Sequence, residues 1–305
     1  MMHKIIIDTD PGHDDALALM LLIKSGRVNV EAITTVAGNS TIQNVTRNGG
    51  YILDLLERRD IPLYSGKEQP LRRNLVSAVV HGESGLAGAD TSKTRVSVTK
   101  DADLQIAKII KKSPGNITLL TLGPLTNIAR AFLKDPVLSL KVEKMVIMGG
   151  AINVAGNKNR VAEFNMFVDP EAADVVFKAK VKKVLIPIDV CNNIPLFISD
   201  FEKLKGAILY KPVMNMMREF IKGIEKFEGT KGALVYDAIA AYYLLNENGF
   251  LTEPMDIVIE TRGEHTFGMT IAEKRIGEKK RYNVDVVTKV DRDCFVKDFI
   301  SILKK

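Results

Sequence analysis

A chain of 305 residues that is 46% apolar and 26% charged can bury a large core, which excludes a disordered or fibrous protein. Its 43 basic and 37 acidic residues leave a net charge of +6 that is too dispersed for a nucleic-acid-binding arm, and the densest basic run, Glu278 to Tyr282, reads as a solvated hairpin end. No apolar run approaches the roughly 18 residues of a membrane span, so neither nucleic acid nor membrane is expected as a partner.

The start, Met1-Met2-His3-Lys4, leads into a strand-like segment without a signal-peptide cleavage region, and a cytoplasmic protein is expected. Cys191 and Cys294 lie far apart in sequence, form no CxxC site and are expected to be free thiols. Along the chain, β-branched runs alternate with helical patterns. The strands predicted are Lys4 to Asp8, Val30 to Gly38, Asn116 to Gly123, Lys144 to Gly150 and Lys182 to Val190. Between them the spacing of apolar residues predicts helices at 14–26, 44–60, 101–113, 125–135 and 169–180. Near-continuous apolar strands separated by helices imply a largely parallel sheet covered on both faces. Towards the end, 256–273 and 282–290 read as antiparallel strands, followed by a helix from Cys294. No repeat or Pro/Ser-rich linker interrupts this rhythm, so one α/β domain spanning 1–305 is expected.

Asp8, Asp10, Asp14 and Asp15 place four carboxylates within eight positions, between two apolar runs. In open α/β sheets ligands bind beyond the carboxyl ends of the strands, where this cluster falls. Asp14 or Asp15 is suited to capping the helix that follows. Capping accounts for one or two carboxylates; four at one strand end repel each other unless some are protonated or a cation sits among them. Oxygen ligands from Asp, without a His/Cys cluster, point to calcium or magnesium rather than zinc. Other strand ends add Asn39, Thr126, Asn157, Glu163, Asn165 and Asp237 to the same edge. Each has a local use as a turn or cap residue, but together they suit a polyol or sugar, whose hydroxyls need several oriented partners.

The stretch DTDPGHDDA resembles the N-terminal signature of the inosine-uridine-preferring nucleoside hydrolase family. The similarity continues through AGN, HGESGL, LGPLTN, MGG, AEFN, DPEAA and YDAIAA, in order over most of the chain. The resemblance implies calcium-dependent hydrolysis of the N-glycosidic bond of ribonucleosides, on a Rossmann-like fold, in a homodimer or homotetramer. Carried over by position, Asp10, Asp15, the Thr126 main-chain carbonyl and Asp237 look like calcium ligands. Asp10 would also be the base acting on the attacking water, and Asp14, Asn39, Asn157, Glu163 and Asn165 would hold the ribose hydroxyls. That set suits an oxocarbenium-like transition state, because clustered carboxylates favour positive charge developing on the ring.

The sequence departs from the family where many members have His before the last metal-binding Asp; here the residue is Tyr236. A phenol is a neutral donor at neutral pH, so Tyr236 would either polarise the leaving base or serve as a stacking wall. His81 is the other candidate acid, on a loop whose Gly82, Gly85 and Gly88 would let it close as a lid. Met214 to Gly232 is expected to form a second mobile wall of the base pocket. Two competing classes remain: a magnesium-dependent phosphatase of the haloacid dehalogenase type, and a calcium-dependent sugar-binding protein that cleaves nothing. The absence of an evident partner lysine motif disfavours the first, and a base poised at the ion disfavours the second.

Overall fold

The computed structural model describes residues 3–275, 277–279 and 281–305. Its strands are β1 (His3–Thr9), β2 (Val28–Thr35), β3 (Leu63–Ser65), β4 (Val98–Thr99), β5 (Ile117–Thr121), β6 (Lys144–Met148), β7 (Lys183–Ile186), β8 (Pro195–Leu196), β9 (Ala233–Leu234), β10 (Phe250–Met255), β11 (Ile257–Ile259), β12 (Thr270–Ala272) and β13 (Val284–Val290). The α-helices are α1 (His13–Ser25), α2 (Ile42–Leu55), α3 (Ala102–Lys112), α4 (Thr126–Lys134), α5 (Phe164–Val168), α6 (Pro170–Lys178), α7 (Ile188–Cys191), α8 (Ile198–Glu202), α9 (Tyr210–Glu228), α10 (Tyr236–Leu245) and α11 (Arg292–Leu303).

Nine strands form one sheet in the order β10-β13-β7-β6-β5-β1-β2-β3-β4. Only the β10–β13 pair within it is antiparallel. The largely parallel α/β architecture expected from the sequence is therefore present. β11 and β12 make a separate antiparallel pair, as do β8 and β9. Three readings need correction. The strand expected to run to Val190 stops at Ile186, because Pro187 has no N–H for the ladder and precedes α7. β10 was not foreseen: it is mostly exposed and contains Pro254, the composition of an edge strand. The basic run ending at Tyr282 joins strands of two different sheets rather than closing a hairpin, and its Lys280 lies outside the described residues.

Alternation along β1 divides the core. Ile5 and Ile7 face one apolar cluster with α1, α10 and α11, while Ile6 faces the other with Ile106 of α3, Ile128 of α4 and Val176 of α6. α1 is apolar almost all round because it is packed against the sheet, α10 and α11 together. From β1 the chain builds outward through β2, β3 and β4 on one side, then crosses back to build β5, β6 and β7 on the other. The order reverses between β1 and β5, where a crevice opens beyond the strand ends.

Asn127, the second residue of α4, ties this crevice together. Its Nδ2 donates to Asp8 Oδ1 at 2.8 Å and to the Thr35 carbonyl at 2.9 Å, and its Oδ1 accepts from Lys67 N at 3.1 Å. Asp8, pushed up to about 7 by burial, also receives the Thr34 hydroxyl at 2.5 Å. Asn127→Ala removes three hydrogen bonds at once, although Asp8 keeps the Thr34 hydroxyl, and is expected to lower unfolding stability by about 3 kcal/mol in urea titration. A midpoint equal to the wild type would show that the knot carries no stability.

Candidate functional site

The crevice is lined on its polar side by Asp14, Asn39, Asn157, Glu163, Asn165 and Asp237, and encloses a cavity of about 260 Å³. β1 ends at Thr9, the turn through Pro11 and Gly12 leads into α1, and Asp14 and Asp15 occupy its first turn. Asp15 holds that turn closed. It accepts from the Thr9 hydroxyl, from Asp10 N at 3.2 Å, from Gly12 N at 2.9 Å and from Asn39 Nδ2 at 3.0 Å. The capping use of Asp15 is thus real, and it does not account for the other carboxylates.

One oxygen each of Asp14, Asp15 and Asp237 lies within 4.8 Å of the others, all three residues being buried. Asp10 stands behind Asn39: its Oδ2 accepts from Asn39 N at 2.7 Å, and its Oδ1 is buried with no hydrogen-bond partner among the described residues. The space around this carboxylate is made by two glycines. A Cβ on Gly38 would lie 2.1 Å from Asp10 Oδ2, and one on Gly123 would lie 2.5 Å from Oδ1. Burial first, and then the neighbouring carboxylates, push Asp10, Asp14 and Asp237 well above the ordinary carboxyl range. An all-oxygen donor set with an orphaned buried oxygen is what a hard cation fits, so the cluster could hold a metal ion.

Opposite the carboxylates, Glu163 caps α5. Its Oε1 accepts from Asn165 N at 2.9 Å, and its Oε2 from Gly150 N at 3.0 Å and Met166 N at 3.2 Å. Asn157 Oδ1 accepts from Phe164 N at 2.9 Å. Asn165 Nδ2 donates to the Leu122 carbonyl at 2.6 Å, directly after β5, and Leu122 also lines the cavity. Thr126 does not. Its hydroxyl donates to Asp169 Oδ2 at 2.6 Å, and as the first residue of α4 its carbonyl points along the helix. The residue that the strand end brings to the cavity is Leu122, whose carbonyl accepts from Asn165, a contact that a reading of side chains had no means of finding.

The remaining wall is formed by His81, Phe220, Ile224, Phe227 and Tyr236, with Glu228 at its rim. Most of the segment expected to supply a second wall, Met214 to Gly232, is the helix α9. Tyr236 gives its phenolic proton to Asn192 Oδ1 at 2.8 Å, and burial raises its pKa well above the ordinary value.

A family model described as "Inosine-uridine preferring nucleoside hydrolase" matches residues 5–297. The chain belongs to this family. As a nucleoside hydrolase it is an enzyme that cleaves the N-glycosidic bond of ribonucleosides. It is 36% identical over 303 residues to a pyrimidine-specific ribonucleoside hydrolase, RihA, of Escherichia coli O1:K1, covering 97% of this chain and 96% of the relative. An inosine-guanosine nucleoside hydrolase superposes with a TM-score of 0.90 at 30% identity, covering 100% of this chain and 99% of the other. A plant nucleoside hydrolase, PpNRh1, does so with a TM-score of 0.90 at 28% identity and the same coverage. No described helix of this nucleoside hydrolase is long and apolar enough to cross a membrane.

The raised carboxyl pKa values give a signed pH dependence. Without a cation, the folded protein keeps protons on Asp10, Asp14 and Asp237 that the unfolded chain releases near pH 4. The folded state then binds more protons than the unfolded one, so stability falls as pH rises above about 4. Chelator-treated protein is expected to melt at progressively lower temperature as pH is raised above about 4, and added calcium to restore more at the higher pH values. A melting temperature indifferent to both would remove the cation from this cluster.

Proposed function

We propose that this nucleoside hydrolase is calcium-dependent and acts first on pyrimidine ribonucleosides, releasing ribose and the free base. The observation that carries the calcium reading is the buried carboxylate cluster with the orphaned Asp10 Oδ1. The pyrimidine reading rests on the 36% identity to the pyrimidine-specific relative over nearly the whole chain. Asp10, Asp15, Asp237 and the Leu122 carbonyl, in place of Thr126, would hold the ion. When bound, calcium supplies the positive charge that lets neighbouring carboxylates ionise together.

The chain's own groups account for the chemistry. Asp14, Asn39, Asn157, Glu163 and Asn165 converge on the cavity and hold the ribose hydroxyls, fixing the sugar against the carboxylates. Asp10 takes a proton from water as that oxygen bonds to the anomeric carbon, and the bond to the base nitrogen breaks with its electron pair going to the base. Buried carboxylate charge favours the positive ring that develops between these events. Tyr236 serves as a wall for the base, because its proton is already committed to Asn192.

Two measurements test this reading. Ribose release from uridine, cytidine, inosine, adenosine and guanosine is expected to be abolished by chelator and to be fastest with the pyrimidines. Under the same conditions Asp10→Asn is expected to fold normally and to lose at least about a thousandfold in kcat. Retained turnover in that variant would sink the role given to Asp10, and a purine-first ranking would overturn the choice of base. For Tyr236→Phe, the expected loss is the same on a nucleoside and on p-nitrophenyl riboside. A selective loss on the poorer leaving group would show that the phenol donates after all.

A further inference from the structure

A second cavity, of about 720 Å³, opens at the other end of the sheet from the carboxylates. It lies at the amino ends of the parallel neighbours β7 and β13, whereas the cleavage site lies beyond the carboxyl ends of the strands. Its lining brings together two basic runs that are distant in sequence: Lys178 to Lys183, and the run whose Arg281 and Tyr282 lie between β12 and β13. Five lining residues are basic, Lys178, Lys180, Lys182, Lys183 and Arg281, and Asp285 is the one acid among the described lining residues.

Most of this charge is unneutralised. Lys178, in the last turn of α6, is paired with Asp174 at 2.7 Å, and a lysine there also offsets the helix dipole. Lys180, Lys182 and Arg281 have no carboxylate within ion-pair distance among the described residues. Lys183 is only 3% exposed, and its Nζ donates to the Ala179 carbonyl at 2.7 Å and to the Val181 carbonyl at 3.0 Å. An ammonium has three protons, so one is left without a partner among the described residues. The two carbonyls offset part of the desolvation, and burial still lowers Lys183 to about 8. The other wall is fixed in place. Arg281 N donates to Asp256 Oδ2 at 2.8 Å, and Asn283 brackets Ile257, accepting from its N at 2.9 Å and donating to its carbonyl at 2.8 Å.

We propose that this cavity is a binding site, separate from the cleavage site, for a small phosphate-bearing molecule, either a sugar phosphate or a mononucleotide. Like charges lining a concave wall of low dielectric focus a positive potential, which an anion relieves. Flexible ammonium groups and an arginine fork both suit phosphate oxygens. The volume exceeds what a lone phosphate fills and falls in the range of sites for larger organic ligands. Tyr282 lines the same space and is 61% exposed, so a ring face is available for a sugar or a base. β7 runs from Lys183 to Ile186, and beyond it α7 leads to Asn192, which accepts the Tyr236 hydroxyl. The two sites therefore share a strand, and occupancy of the second does not depend on which nucleoside the first cleaves.

The test is isothermal titration calorimetry of the whole protein with uridine 5′-monophosphate, ribose 5-phosphate and inorganic phosphate, at about 0.1 M salt. One of the two organic phosphates is expected to bind with a Kd below about 1 mM. The double variant Lys182→Gln with Arg281→Gln removes two exposed charges and is expected to weaken that binding at least about tenfold, while ribose release from uridine keeps its wild-type rate. Tighter binding of the nucleotide than of ribose 5-phosphate, lost in Tyr282→Ala, would make this a nucleotide site; equal binding would make it a sugar-phosphate site. Inorganic phosphate binding as tightly as both would overturn the organic ligand. The whole proposal fails if neither organic phosphate binds below about 5 mM, or if the double variant binds as the wild type does, which would place the ligand elsewhere. Protein that cleaves no uridine would defeat the function proposed above and leave the binding comparison intact, because the calorimetry needs no turnover.

Discussion

Mutual repulsion among buried carboxylates is the constraint around which the molecule is arranged. At an effective dielectric of about 20, two charges 4 to 5 Å apart repel by roughly 3 to 4 kcal/mol. Three such pairs among Asp14, Asp15 and Asp237 would cost roughly 10 kcal/mol, comparable to the whole net stability of an ordinary domain. Full ionisation in this cluster without a compensating cation is therefore incompatible with a stable fold. The fold answers part of the load itself. It aims three backbone or amide N–H groups and a hydroxyl at Asp15, and it leaves one buried Asp10 oxygen with no hydrogen bond among the described residues.

The site is held on two kinds of support. Its acidic floor grows from β1, the turn into α1 and the end of β5, all central to the sheet and tied by Asn127 to the neighbouring strand. Its aromatic wall comes from α9 and the loop around His81, which lean on each other through Phe220 and Gly223. On the proposed function, chemistry at the sugar needs fixed distances, which the central strands beneath the floor would supply. On the same reading, bases differ in size and edge, and the wall is where side chains would meet those differences.

Most of the sheet and its edge were legible because their signals are local. A β-branched run, a Pro-Gly turn and an acidic first helical turn together announce a strand end facing a helix start, and Asp10, Asp14 and Asp15 are found there. What escaped was non-local or carried by the main chain. Leu122 acts through a carbonyl, so its side chain gave no hint, and Thr126 drew attention although its hydroxyl serves Asp169. His13 stood inside the most telling motif and still went unnoticed, since its partner, the His81 ring, lies 68 positions away. α9 was obscured by Pro212 and Gly223, two residues that discourage a helix; the glycine is there for the loop it touches.

The clearance around Asp10 bears on how such an enzyme can change. Gly38 and Gly123 each lack the one carbon that would collide with the carboxylate, so the three positions form a single steric unit drawn from three separate strand ends. Lengthening Asp10 to Glu would drive the head group into the same walls, and enlarging either glycine would displace Asp10 from Asn39. Single substitutions at these positions are expected to lose activity, whichever substrate is selected for. On the proposed function, altered base preference would be reached instead through α9, whose cavity-lining Phe220, Ile224 and Phe227 lie outside that unit.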